Sequence, residues 1–166
     1  MLAFDSRCYM NMEFDYSKAT LDDLDEKAVQ LLIFDTKELT SILKGHLFIE
    51  RILDALIDRN LKHPEHLRRN QRLTFDLKID LAQAMGVLPE RFLSPIKALN
   101  TIRNKYAHSE NYQVSFEELN RLKLKWQPKQ EQAFKLASAK GIEDAALIAT
   151  LFLTWACMRL LDQPAT

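Results

Sequence analysis

The chain has 166 residues, 47% of them apolar and 28% charged, and its 23 basic and 23 acidic side chains cancel to a formal charge of zero. That length buries a core in one domain without disulfides or metal. The neutral balance excludes bulk electrostatic coating of nucleic acid or membrane, so contact with either would rest on a local patch.

Cys8 and Cys157 fit no metal or CxxC spacing, which predicts reduced thiols in a cytoplasm. Residues 1–19 are aromatic and acidic, without the basic start and apolar run of a signal peptide, and are read as an arm. Residues 20–166 then form a single domain. Three glycines and almost no period-2 alternation predict an all-α fold, an antiparallel bundle of four to five main helices.

Thr20 is an N-cap candidate for "LDDLDEKAVQLLIF", whose first turn is acidic. A longer helix is predicted over 36–59, with Leu39, Ile42, Leu43, Ile49, Leu53, Leu56 and Ile57 on its apolar stripe. His63-Pro64 breaks it. "TFDLKIDLAQAMGVL" reads as a third helix stopped at Gly86. Pro89 opens "PERFLSPIKALNTIRNKYAH" at the N1 position. Ser115 and Glu118 make a capping-box pattern for a helix over 115–126, and Pro128 starts another. The closing segment holds 14 apolar-rich residues between Asp144 and Arg159. A membrane span needs about 20, so a buried helix is the expectation.

The chemistry concentrates in "LNTIRNKYAHSEN", residues 99–111. Helical spacing puts Leu93, Ile96, Asn100, Arg103 and Ala107 on one face. Arg103 then falls mid-stripe, where it must be paired or face a cleft, since an unpaired buried charge is costly. If the helix ends near His108, its imidazole can fold back toward Arg103, with Asn104 beside both. Arginine, amide and imidazole together suit a phosphate, and histidine exchanges protons near neutral pH.

The run Arg103-Asn104-Lys105-Tyr106-Ala107-His108 resembles the R-x4-H motif of the HEPN superfamily, small helical bundles that include many ribonucleases of toxin–antitoxin, abortive-infection and CRISPR systems. The wider run "LTFDLKIDLAQAMGVLPERFLSPIKALNTIRNKYAHS" is similar to the mannitol-repressor branch, and the resemblance covers roughly residues 36–122.

The resemblance implies metal-independent, cofactor-free RNA cleavage that leaves a 2′,3′-cyclic phosphate. His108 would act as general base or acid, Arg103 would hold the non-bridging oxygens, and Asn104 would position either. It also implies a homodimer with facing motifs, an RNA substrate and a cognate antitoxin or regulatory protein in the cytoplasm, with no membrane association. The rival reading is a non-catalytic regulator of the mannitol-repressor kind, acting through protein or nucleic-acid contacts. A third makes the motif scaffold only.

Supporting candidates are His46 and Glu50, four apart beside the apolar stripe of the long helix. Glu50 either forms a structural pair with Arg103 or orients it in an active cleft, and His46 is either a core histidine or part of that cleft. Arg59, Lys62, Arg68, Arg69 and Arg72 cluster round one loop, where Arg68, Arg69 and Arg72 could guide RNA or form a solvated balance to the acidic N-terminal third. His63 and His66 lack a third ligand, so no metal is expected. "RLKLKWQPK" interleaves basic residues with Trp126, either a nucleic-acid contact or a helix end with a packed tryptophan.

Overall fold

The computed structural model describes residues 15–33, 38–68, 73–109 and 112–162; within these, the side chains of 29–33 and 68 are left undescribed. The described residues form an all-α bundle, without a strand among them. The arm over residues 1–19 lies outside them up to residue 14. The helices are α1 (Leu21–Ile33), α2 (Glu38–Arg59), α3 (Pro64–Arg68), α4 (Phe75–Ala84), α5 (Leu93–His108), α6 (Phe116–Asn120), α7 (Pro128–Lys140) and α8 (Ile142–Met158). Five of them, α1, α2, α5, α7 and α8, have 13 residues or more.

Local chemistry sets most of these limits. Thr20 caps α1: its Oγ1 accepts from Asp23 N at 3.2 Å, and Asp23 Oδ2 accepts from Thr20 N at 2.9 Å. Thr74 caps α4 through Leu77 N. Gly86 takes φ +74°, and Val87 N then donates to Ala82 O at 3.0 Å, closing the helix end. Pro89 does not occupy N1 of α5. It precedes a 3₁₀ turn over Glu90–Phe92, and α5 proper starts at Leu93 with Pro95 in its first turn, where a missing N–H costs nothing. The capping box of Ser115 and Glu118 forms, but α6 stops at Asn120, not near Trp126. Bonds from Arg121 N to Glu118 O and Leu122 N to Leu119 O tighten its last turn and drop Leu122 into the core. Trp126 packs edge-on to Phe134 and Phe152, with centroids 5.3 Å away in each case.

The core centres on α2 and α8. Phe48, Ile49, Ile52, Leu53 and Ile57 of α2 are at most 1% exposed. Burying each stabilises the fold by about 1.5–3 kcal/mol. In α8, Ala145, Ala146, Ala149 and Leu153 are fully buried, and so is Thr154, whose hydroxyl donates to Thr150 O at 2.8 Å. Two residues expected in the α2 stripe are not core: Leu39 is 38% and Leu43 40% exposed. The buried face runs instead through Ile42, Gly45, Ile49, Ile52 and Leu56, which turns Leu39, Leu43 and Leu47 roughly 100–180° away from its centre.

Two contacts fix how the site elements lie. Tyr106 Oη, near the end of α5, donates to Glu38 Oε1 at the start of α2 at 2.7 Å. Farther along, His46 of α2 meets Asn100 of α5. These helices therefore run antiparallel, with α4 against both. Arg59, grouped by sequence with a basic patch, closes the fold instead. Its Nε and Nη2 donate to Ser17 O and its Nη1 to Leu161 O, at 3.1, 2.8 and 2.6 Å. No described helix is long and apolar enough to cross a membrane.

Candidate functional site

The polar face of α5 follows from its sequence. Ile96, Leu99 and Ile102 face the core at 0 to 2% exposure, and Asn100 shares that burial at 7%. One turn on, Arg103 is half-buried and Ala107 and His108 are exposed. The face predicted as apolar therefore opens to solvent toward its C-terminal end, and Arg103 sits on the rim and not mid-core.

Arg103 Nη1 donates to Asn104 Oδ1 at 3.0 Å. No ion pair joins Arg103 to a carboxylate among the described residues. Glu50, its expected partner, is committed elsewhere: Lys78 Nζ reaches Glu50 Oε1 at 2.8 Å and Asp54 Oδ1 at 2.9 Å. The reason is geometric. Positions 50 and 54 follow His46 along the face of α2 that meets α4, and Lys78 extends from α4 directly onto them. Burial pulls the Lys78 ammonium down, but the two carboxylates outweigh it and hold it above its ordinary value. Burial also raises the Asp54 carboxyl, partly offset by Lys78.

His46 is 7% exposed and stacks on Phe75 with centroids 4.0 Å apart and planes inclined by 28°. Its Nε2 lies 2.9 Å from Asn100 Oδ1, and Asn100 Nδ2 donates to Asp76 Oδ1 at 2.9 Å. The polarity of this relay is forced. A carboxylate only accepts, so the Asn100 amide turns its NH₂ to Asp76 and its oxygen to His46, and the imidazole proton sits on Nε2. Burial lowers the His46 pKa, and the Arg103 charge adds to that; Asn100, Glu50 and Asp76 act in the opposite sense without overcoming it. His46 is thus a neutral imidazole next to Arg103.

His108 is the last residue of α5, followed by extended Ser109. Because the helix runs through it, His108 lies roughly 140° round from Arg103. No hydrogen bond joins its imidazole to Arg103 or Asn104. Lys105 and Tyr106, between them in the motif, serve the fold. Lys105 Nζ donates to Glu118 Oε1 at 2.6 Å, and Tyr106 Oη also accepts from Val114 N. Burial and Glu38 raise the Tyr106 hydroxyl.

One cluster thus holds Arg103, Asn104 and His46, with Glu50 at its edge, and His108 stands apart at the helix end. Arg69 and Arg72 fall outside the described residues, as does the side chain of Arg68. Among the described residues no group of histidine, cysteine and acidic side chains could hold a metal ion. Asp76, Asn100, Lys78 and Phe75 were not identified as site residues from sequence, although a lone asparagine in the apolar face of α5, three before Arg103, was the available signal.

Comparison of the chain with protein-family models, characterised proteins and solved structures finds no match.

Proposed function

We propose that the protein is a metal-independent endoribonuclease of HEPN type that works as a homodimer, as the toxin or effector of a toxin–antitoxin or antiphage system. The observation that carries this reading is the Arg103 guanidinium, half-buried and, among the described residues, bound only to the neutral amide of Asn104. A guanidinium at a helix rim, without a carboxylate partner among the described residues, is a ready donor site for a phosphate. The R-x4-H spacing supplies the rest.

In this reading Arg103 holds the non-bridging oxygens of the scissile phosphodiester, with Asn104 steadying the guanidinium. His108 takes the proton of the ribose 2′-OH as that oxygen bonds to phosphorus. The bond from phosphorus to the 5′-oxygen then breaks, and the leaving oxygen takes a proton from a second histidine. The products are a 2′,3′-cyclic phosphate and a 5′-hydroxyl. Because Arg103 and His108 point apart on one helix, a second copy facing the first would bring an arginine and a histidine together across a two-fold axis. Exposed Leu39, Leu43 and Leu47, beside His46 and Glu50 on α2, offer apolar surface for that contact. The test is cleavage of an RNA pool by wild type and His108→Ala.

A second reading, the non-catalytic regulator, is favoured by a different observation. Glu50, Asp54 and Asp76 lie along the same cluster against Lys78 and Arg103, which leaves it one charge negative and better suited to a protein partner than to a nucleic acid. Absence of RNA products together with capture of a specific protein would select it.

A further inference from the structure

The Asp76–Asn100–His46 relay runs from an exposed carboxylate on α4, through a buried amide on α5, to a buried imidazole on α2. A core histidine needs only a carbonyl to satisfy its N–H. Here three helices contribute instead, and Phe75 stacks on the ring, fixing its plane as well as its proton. Among the described residues the polar contact of the ring runs through Nε2, and with the proton there Nδ1 is the nitrogen with a lone pair to use. Asn100 and Arg103 are three apart and share a face of α5, and the Arg103 charge is felt at the ring that Asn100 holds.

We propose that Asp76, Asn100 and Phe75 are positioning residues that hold His46 in one tautomer beside Arg103, and that a phosphodiester bound at Arg103 is recognised together with a proton taken up on Nδ1 of His46. The proposal rests on the reading that Arg103 receives phosphate, but not on cleavage. The charges that face His46 are Glu50 from its own helix, Asp76 from α4 and Arg103 from α5, with Lys78 of α4 paired to Glu50. In the free protein Arg103 opposes a second positive charge on the ring. An anion on Arg103 cancels that opposition, while Glu50 and Asp76 remain to favour the imidazolium. Binding and proton uptake are then linked, and each strengthens the other.

The experiment follows the His46 ring by nuclear magnetic resonance across pH, with and without two thymidines joined by one phosphodiester. This probe carries a fixed charge near neutrality and cannot be cleaved through a 2′-OH. The expected results are a single Nε2–H tautomer in the free protein, a titration midpoint for His46 that rises when the probe binds, and probe affinity that falls by up to about tenfold per pH unit between the free and the bound midpoints. Arg103→Gln should abolish the rise. Asp76→Ala, at an exposed position, should give a mixed tautomer and a smaller rise. A midpoint unmoved by bound probe overturns the proposal, as does no binding up to the solubility limit of the probe. A linked midpoint without RNA cleavage by wild type would keep the phosphate site and remove the nuclease reading alone. Cleavage with an unmoved midpoint would keep the nuclease reading and remove the linkage to His46 alone.

Discussion

His46 Nε2 and Asn100 Oδ1 stand 2.9 Å apart in the interior between α2 and α5, and that contact decides what the flank of the R-x4-H motif is made of. The imidazole is fixed by the amide, the amide by Asp76, and Arg103 is left to face solvent from a neutral neighbour.

Asn100→Leu removes the acceptor of His46 and the donor to Asp76. A buried N–H without a partner costs about 1–3 kcal/mol, and urea denaturation should show that loss. Asp76→Ala, which removes an exposed partner, should cost less than about 1 kcal/mol. Equal losses at the two positions would contradict the relay's direction from surface to core.

Lys78→Met leaves Glu50 and Asp54 facing each other at 27% and 29% side-chain exposure without their shared cation. The expected cost at neutral pH is about 2–3 kcal/mol, below that of breaking a fully buried pair. The deficit against wild type should shrink as pH falls and the two carboxylates take up protons. A deficit that stays constant down to acid pH would show that packing, not charge, holds this corner.

Much of this corner was written in the sequence, and the parts that were not share a cause. Capping chemistry is local, so the starts of α1 and α6 and the stop at Gly86 follow from three or four neighbouring residues. The position of Arg103 was only half readable, since spacing puts it mid-stripe on an apolar face and the structure puts it on the rim where that face opens to solvent. Its partner was not readable at all. Glu50 and Arg103 are both stripe residues, and no rule of periodicity says that Lys78, on a third helix, reaches Glu50 first. The relay stayed hidden for the same reason, since its members are 30 and 24 positions apart in sequence and meet only after packing. Leu39 and Leu43 satisfied the helical period but fell outside the buried arc, because period alone does not fix where the centre of that arc lies.

Glu118 provides a titration test. Burial would raise its carboxyl, but bonds from Lys105 and Ser115 outweigh this and lower its pKa from 4.5 to about 2. A depressed acid contributes stability that is present above its unfolded value and is lost as pH falls through the folded one. The window is therefore roughly pH 5 down to 2. Lys105 is half-exposed, so screening leaves about 1 kcal/mol. Glu118→Gln should be less stable than wild type at pH 7 and should converge on it near pH 2. Parallel curves would contradict the assignment.

Leu43→Lys places a charge in the exposed stripe of α2 without touching the core. Sedimentation should show weaker self-association than wild type, with the melting temperature of the monomer shifted by only a few degrees. An unchanged oligomeric state would move the two-fold contact off this face.

The most direct measurement is cleavage of a mixed RNA pool by wild type and His108→Ala, each with its oligomeric state recorded. His108 is exposed and makes no hydrogen bond among the described residues, so the substitution should alter stability by less than about 0.5 kcal/mol. Wild type should give 2′,3′-cyclic phosphate products, and these should be lost in a mutant that is folded and still dimeric. Products from both proteins at equal rates, or from neither, would contradict it.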